Sequence, residues 1–380
     1  MRASAKIDEK RCMNYLIEDQ DQLKEIEPLF KELGERGGEV AVDTEFFREK
    51  TYRAKLCLMQ LGIDGDQYCV DVLAIDDLQP LKDLLVDERV LKLFHAARQD
   101  MEVILQTLEV MPKPIFDTQL AAAFGGLDMQ IGYSALVQDR LDIELPKSQA
   151  RTDWTRRPLS TEQVQYAADD VAHLAQLREL ALQDLNDNGK FDWFEQELAD
   201  YYDASKYLLE PALAFQRLSG GGLKIKQQYA LKALAEWREA QAQKRDIPRS
   251  WVLKDDALFD LACRMPRTDE EALSLGVFGR KSGRYLAPQA VQIINELEVG
   301  DEVIWTKVDP LTKQQKKTVS NLMRKLSELA KQHHVAQGLL GTRKDVEGLY
   351  RHGQSEKLLE GWRAEIVGQP LLKALEAEQA

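Results

Sequence analysis

No part of this chain is apolar enough to cross a membrane. No uninterrupted apolar run approaches the ~20 residues that a span needs. The start, Met1 to Asn14, is polar and charged and holds no signal-peptide core. Cysteine is scarce: Cys12, Cys57, Cys69 and Cys263 are scattered, with no CxxC pair. That argues against a disulfide framework or structural zinc and for buried free thiols. These absences predict a cytoplasmic protein without membrane association. Positive charge is also short. The net charge is −13, from 51 Lys+Arg against 64 Asp+Glu. The deficit lies on one side. Residues 1–200 hold 23 Lys+Arg against 40 Asp+Glu, net −17, and residues 201–380 hold 28 against 24, net +4. Acidic surface repels phosphate, so the second half is the better holder of a polyanion. Bound cations would reverse the sign locally in the first.

What is present is an ordinary globular composition, 44% apolar and 30% charged over 380 residues, enough for two or three domains. Runs rich in Val, Ile, Leu and aromatics predict strands over Met13–Ile17, Val40–Phe46, Lys55–Ile63, Gln67–Val72 and Val90–Phe94. The turn Gly62-Ile63-Asp64-Gly65-Asp66 predicts a hairpin between two of them. Helical periodicity covers Asp21–Leu33, Leu78–Leu85, Gln99–Leu108, Thr118–Phe124, Tyr133–Asp139 and Thr161–Leu185. The last is preceded by Ser160 and carries Gln163, a capping pattern. A mixed sheet flanked by helices follows. After about Tyr202 the strand signal stops and helices take over. Aligning Leu234–Leu261 with Leu322–Leu349, an offset of 88, pairs Leu234 with Leu322, Ile247 with Val335, Val252 with Leu340 and Leu261 with Leu349. An offset that long is a domain duplication and not a solenoid period. The predicted division is an α/β domain over 1–205, a linker over 206–225, a helical bundle over 226–298 and a second, diverged bundle over 310–380.

Three short segments carry the chemistry. Asp43 and Glu45 lie two apart on a strand-like run, so both side chains leave one face while Val40 and Val42 enter the core. Two carboxylates on one face repel unless a cation lies between them; the alternative is a solvated edge strand. Tyr166 and Asp170 lie four apart on a helix and share a face, with Asp169 turned away as a surface charge. Asp100 follows an apolar strand at a helix start, where a carboxylate is also good capping chemistry. Oxygen-rich sets of this kind suit hard divalent ions, and a pair of such ions drives attack on a phosphodiester.

With these segments the chain resembles the ribonuclease D family, DEDD-type 3′→5′ exonucleases of ribonuclease H-like fold. Asp43-Thr44-Glu45-Phe46, Phe94-His95-Ala96 through Asp100, and Tyr166-Ala167-Ala168-Asp169-Asp170 match its three exonuclease motifs, the last in tyrosine form. Phe116-Asp117-Thr118-Gln119 and Arg151 to Leu159 match further stretches. The helical repeats resemble the helicase-and-RNase-D C-terminal (HRDC) domain, the first through Trp237-Arg238, Leu275-Gly276 and Gly279-Arg280-Lys281. The resemblance implies a hydrolase releasing nucleoside 5′-monophosphates from RNA with a single-stranded 3′ end, typically tRNA precursors. It implies two Mg²⁺ or Mn²⁺ ions on Asp43, Glu45, Asp100 and Asp170, with Tyr166 positioning the attacking water.

Around that set, Phe46 and Phe47 either stack on terminal bases or belong to the core. Gln60 and His95 are further candidate substrate contacts. Lys147, Arg151, Arg156 and Arg157 gather before the third motif, either as a grip on the RNA backbone or as a solvated loop. Arg280, Lys281, Arg284, Lys313, Lys316 and Lys317 add positive charge to the helical repeats. Two other readings remain open at this point: a DNA 3′→5′ exonuclease with the same carboxylates, and a nucleic-acid-binding scaffold with an idle site. No protein partner is predicted.

Overall fold

The computed structural model describes residues 13–146, 152–279 and 281–379. It divides into two compact units. One comprises the described residues of Met1–Phe47, Leu56–Ala204 and Leu311–Ala380, and the other Arg48–Lys55 and Ser205–Pro310.

In the first unit a six-stranded mixed sheet is built from β1 (Asn14–Ile17), β2 (Glu39–Phe47), β3 (Lys55–Ile63), β4 (Asp66–Val70), β5 (Leu91–Phe94) and β6 (Ile115–Asp117). Its order is β1-β4-β3-β2-β5-β6. The expected hairpin is there: β3 and β4 pair antiparallel, with Gln60 opposite Cys69. β5 lies parallel to both β2 and β6. β6 has no counterpart among the predicted strands; three residues are too few to register a period. β2, at the centre, buries Val40, Ala41 and Val42 almost fully.

Helices α1 (Gln20–Arg36), α2 (Gln79–Val86), α3 (Arg98–Leu108), α4 (Thr118–Phe124) and α5 (Tyr133–Leu141) connect or flank the strands. The long helix predicted over Thr161–Leu185 is instead two, α6 (Thr161–Ala172) and α7 (Leu174–Asp187), broken at His173. The expected Ser160/Gln163 capping box opens α6. α8 (Phe191–Ala199) follows.

The C-terminal helices of this unit are α14 (Lys313–Gln332), α15 (Gln337–Leu340), α16 (Arg343–His352), α17 (Glu356–Leu359) and α18 (Gln369–Gln379). They pack onto the sheet domain through specific polar ties. Arg363 forks onto both oxygens of Glu197 at 2.6 Å and also donates to Leu339 O. Trp362 stacks on Trp193 with ring centroids 4.9 Å apart. The buried Lys190 ammonium joins Phe124 O to His334 O, 2.8 Å each.

The second unit holds α9 (Ile225–Lys244), α10 (Arg249–Val252), α11 (Asp255–Arg264), α12 (Asp269–Ser274) and α13 (Gly283–Asn295) around a core of Leu231, Leu234, Leu258, Leu261 and Ile294. The stretches expected as connections are packed here too: Ala214 is in that core, and Trp305 lies against it with its indole N–H on Leu218 O. Tyr52, from the segment between β2 and β3, hydrogen-bonds Glu239, while Asp246 accepts from the Tyr52 and Arg53 amides. The bounds of α9, α10 and α11 reappear in α14, α15 and α16 at a constant offset of 88, the offset at which the apolar positions align.

Candidate active site

The alternation of β2 puts Ala41, Asp43 and Glu45 on one face. Helix α6 lies against that face, and Gly62 makes the approach possible. A Cβ there would lie 3.0 Å from the Ala41 Cβ and 3.1 Å from the Val171 carbonyl oxygen. α6 therefore delivers Asp170 to the two strand carboxylates. Carboxylate oxygens of Asp43, Glu45 and Asp170 lie within 4.8 Å of one another.

Asp100, at the third position of α3, lies near enough for its charge to act on Asp43 and Glu45. The turn ahead of it is clamped by Asp117, whose buried carboxylate accepts from the amides of Ala96 and Ala97, 3.0 Å each, and of Gln119 at 2.9 Å. That clamp holds Ala96 at φ 61, a left-handed conformation that costs a non-glycine residue energy. On the other face of β2, the Thr44 hydroxyl donates to Asp100 Oδ1 at 2.5 Å.

These carboxyls cannot all ionise together. Burial, then the charges of Asp100, Asp170 and Glu45, drive Asp43 well above the usual carboxylate range. Burial followed by Asp170 and Asp100 pushes Glu45 up to about 9. Asp100 and Asp170 are each raised to about 7, chiefly by burial. The Tyr166 hydroxyl opposes the shift at Asp170 by donating a hydrogen bond to it. Trp154, itself buried, backs the Tyr166 ring with centroids 6.1 Å apart. A set of acids that keep protons because they are buried and, at Asp43 and Glu45, crowded by one another is what a divalent cation relieves. The hard oxygen donors fit such an ion, and the DEDD exonuclease architecture uses one. An open cleft of about 860 Å³ runs along Tyr166 and Asp170, walled by Tyr133, Ser134, Gln138 and Leu145.

The same combination of domains occurs in known proteins. The family described as 3′-5′ exonuclease matches residues 15–185, and the HRDC domain matches 227–294. The ribonuclease D of Zymomonas mobilis is 37% identical over 90% of each chain. That of Pseudomonas paraeruginosa is 35% identical over 89% of this chain and 92% of its own. The chain belongs to the ribonuclease D family. Among solved structures, Escherichia coli RNase D, described as an exoribonuclease involved in structured RNA processing, superposes with a TM-score of 0.82 at 27% identity, over 96% of this chain and 99% of that one. The family is one of 3′→5′ exoribonucleases, and RNA is the substrate class. The DNA-exonuclease and idle-scaffold readings yield to it.

The ribonuclease D fold brings Asp43, Glu45, Asp100, Tyr166 and Asp170 together, but several neighbours have other tasks. His95 was a candidate substrate contact, with a plain polar residue at the strand end as the alternative. Both its ring nitrogens are taken, Nδ1 by Thr118 Oγ1 at 3.0 Å and Nε2 by Ile131 O at 2.9 Å, and burial lowers its pKa. Arg157 was open between a grip on the RNA backbone and a solvated loop. It forms an ion pair with the buried Asp71 and bonds to the carbonyls of Trp154 and Cys57. Gln60 is fully buried, with no hydrogen-bond partner for its amide among the described residues, so no surface is left for a substrate. Phe47 packs against the Cys57–Leu58–Trp154–Ala168 cluster, and Phe46 is half-buried. Asp169 is half-buried on the cleft wall, bonded to Gln165, and not an open surface charge. Arg156 is exposed and pairs with Asp153. Lys147, Arg151 and Arg280 lie outside the described residues. Sequence reasoning passed over Thr44 and the clamp role of Asp117. The matched Phe116–Gln119 stretch was the signal for Asp117; Thr44 gave none, since a threonine in a strand is ordinary.

Proposed function

We propose that Asp43, Glu45, Asp100 and Asp170 hold two Mg²⁺ or Mn²⁺ ions, and that the protein trims tRNA precursors in the cytoplasm from single-stranded 3′ ends, releasing nucleoside 5′-monophosphates. The observation that carries this is the three carboxylates within 4.8 Å of one another, with Glu45 raised to about 9 by burial and then by the charges of Asp170 and Asp100. Such ions supply Lewis-acid activation of water and stabilisation of the leaving 3′ oxygen. The chain does the rest. Thr44 and Asp117 hold Asp100 in place, and Trp154 supports Tyr166. The Tyr166 hydroxyl, already a donor to Asp170, would orient the attacking water. Phe46, Phe47, Lys147, Arg151 and Arg156 complete the proposed contacts to the strand.

The region 310–380 is proposed as a second, diverged HRDC domain, supported by the shared offset of 88 in three successive helices. The test of the central reading is digestion of a 5′-labelled tRNA precursor with a short single-stranded 3′ tail, in Mg²⁺, by wild type and Asp43→Ala. A ladder shortening from the 3′ end, absent in the variant, is the expected result. A ladder that survives Asp43→Ala would remove the metal assignment. No shortening by the wild type, with Mn²⁺ also tried, would remove the substrate.

A further inference from the structure

Helices α6 and α7 meet at His173, whose backbone leaves the helical region at φ −114, ψ 4. In an unbroken helix the His173 amide would bond the carbonyl of Asp169, four residues back. Here a side chain stands between them. The Tyr133 hydroxyl donates to Asp169 O at 3.1 Å and accepts from the His173 amide at 3.1 Å. Insertion of a polar group into the backbone ladder is a recognised cause of a helix break. It also gives a partner to both backbone groups that the break exposes, the His173 amide reaching Val171 O as well.

Tyr133 is the first residue of α5 and lines the cleft with Tyr166 and Asp170. Its ring meets His95 edge-on, with centroids 5.6 Å apart. His95 is tied through Nε2 to Ile131 O, two residues before Tyr133. A continuous set of contacts therefore runs from the strand end of the second motif, through Tyr133, to the last turn of the helix carrying the third. Burial, together with the charges of Asp170 and Asp43, raises the Tyr133 pKa, so the hydroxyl keeps its donor proton.

We infer that Tyr133 is a positioning residue for the metal-binding carboxylates, its hydroxyl fixing the break that sets where Asp170 points. Asp170 is the residue next to the carbonyl that the hydroxyl holds. Without the hydroxyl, the Asp169 carbonyl and His173 amide can close their ordinary helical bond, which draws α6 into line with α7 and turns Asp170 with it.

The inference rests on the reading of Asp170 as a metal ligand. Its test is Tyr133→Phe in the full chain, which removes one oxygen and keeps the ring. Mg²⁺ binding is measured by titration calorimetry without RNA, where a severalfold weaker affinity is expected, and steady-state trimming of a single-stranded RNA is measured against Mg²⁺ concentration, with Asp43→Ala as control. The expected result is a severalfold rise in the Mg²⁺ concentration for half-maximal rate and a fall in kcat of about tenfold, with KM for RNA little changed. The half-saturation value does not depend on how much enzyme is folded, so it remains readable if the variant melts early. Half-saturation and kcat per folded enzyme both within about twofold of wild type, whatever the melting temperature, would overturn the inference and leave Tyr133 a stabilising tie. Activity in Asp43→Ala would instead overturn the metal-site reading beneath it.

Discussion

Thr44 Oγ1 donates to Asp100 Oδ1 at 2.5 Å, joining the first and second motifs across 56 positions of sequence. β2 thus serves the site with both faces: Asp43 and Glu45 on one, Thr44 on the other. Thr44→Val keeps shape and β-propensity and deletes only the donor. A hydrogen bond to a charged acceptor contributes ~1.5–3 kcal/mol, so kcat should fall about tenfold to a hundredfold, with a raised Mg²⁺ requirement and RNA affinity unchanged. Steady-state kinetics at several Mg²⁺ concentrations check this; a wild-type metal profile would mean that Asp100 is held without Thr44.

The carboxylate cluster should make the metal-free protein lose stability as pH rises. Unfolded carboxyls titrate near ~4. Folded Asp100 and Asp170 titrate at about 7 and Glu45 at about 9. Between those limits the folded state keeps protons that the unfolded state has already released. Unfolding then releases protons, and stability falls across pH 4 to 9. A divalent ion displaces those protons, so its stabilising effect should grow over the same window. Melting curves in chelator and in Mg²⁺ across that range test both slopes. Asp43→Asn should flatten the chelator slope, raise the metal-free melting temperature at alkaline pH and abolish trimming.

Glu197→Gln should destabilise the first unit. The Arg363 guanidinium is nearly buried and forks onto both Glu197 oxygens, one of which also accepts from the Trp362 indole. Removing one partner of a buried pair costs about 3–5 kcal/mol, because the remaining charge is left without compensation. The expected outcome is a melting temperature lower by about 10 °C. Trimming of a short single strand at low temperature should persist. A change below about 2 °C would show the pair to be solvated.

The two adjacent arginines before the third motif should separate cleanly. Arg157→Met breaks the pair with buried Asp71 and should lower the melting temperature. Arg156→Ala, at an exposed position, should leave stability intact and reduce the salt dependence of RNA binding by about one phosphate contact. Binding titrations across salt, beside melting curves, distinguish them. A loss of salt slope on changing Arg157 would reverse the assignment.

Residues near in sequence were legible without the fold. The β3–β4 hairpin follows from a Gly-Ile-Asp-Gly-Asp turn between two apolar runs, and the α6 cap from Ser160 and Gln163. The proposed duplication is legible as an offset of 88 because helix periodicity survives divergence of the residues themselves. What failed were readings that depend on what a side chain meets. His95 and Arg157 are open in sequence to a substrate contact or a bland role, and in the fold they are bound by Ile131, Thr118 and Asp71. The Thr161–Leu185 helix looks continuous because nothing in its own residues breaks it; the hydroxyl at its break comes from Tyr133, 40 positions away.

The sequence by itself determined the candidate chemistry of this protein: four carboxylates and a tyrosine at strand and helix spacings, in segments that resemble the family's motifs. Periodicities of two and nearly four dictate which of them share a face, and these are local properties of the backbone. Only the tertiary structure decided which polar groups remain available. A buried charge or hydroxyl must find a partner, and that partner comes from wherever packing brings one: Asp117 for the turn before Asp100, Thr44 for Asp100 itself, Tyr133 for the break after Asp170. Such pairings form between segments far apart in the chain, and their cost or gain exists only once water has been excluded from both.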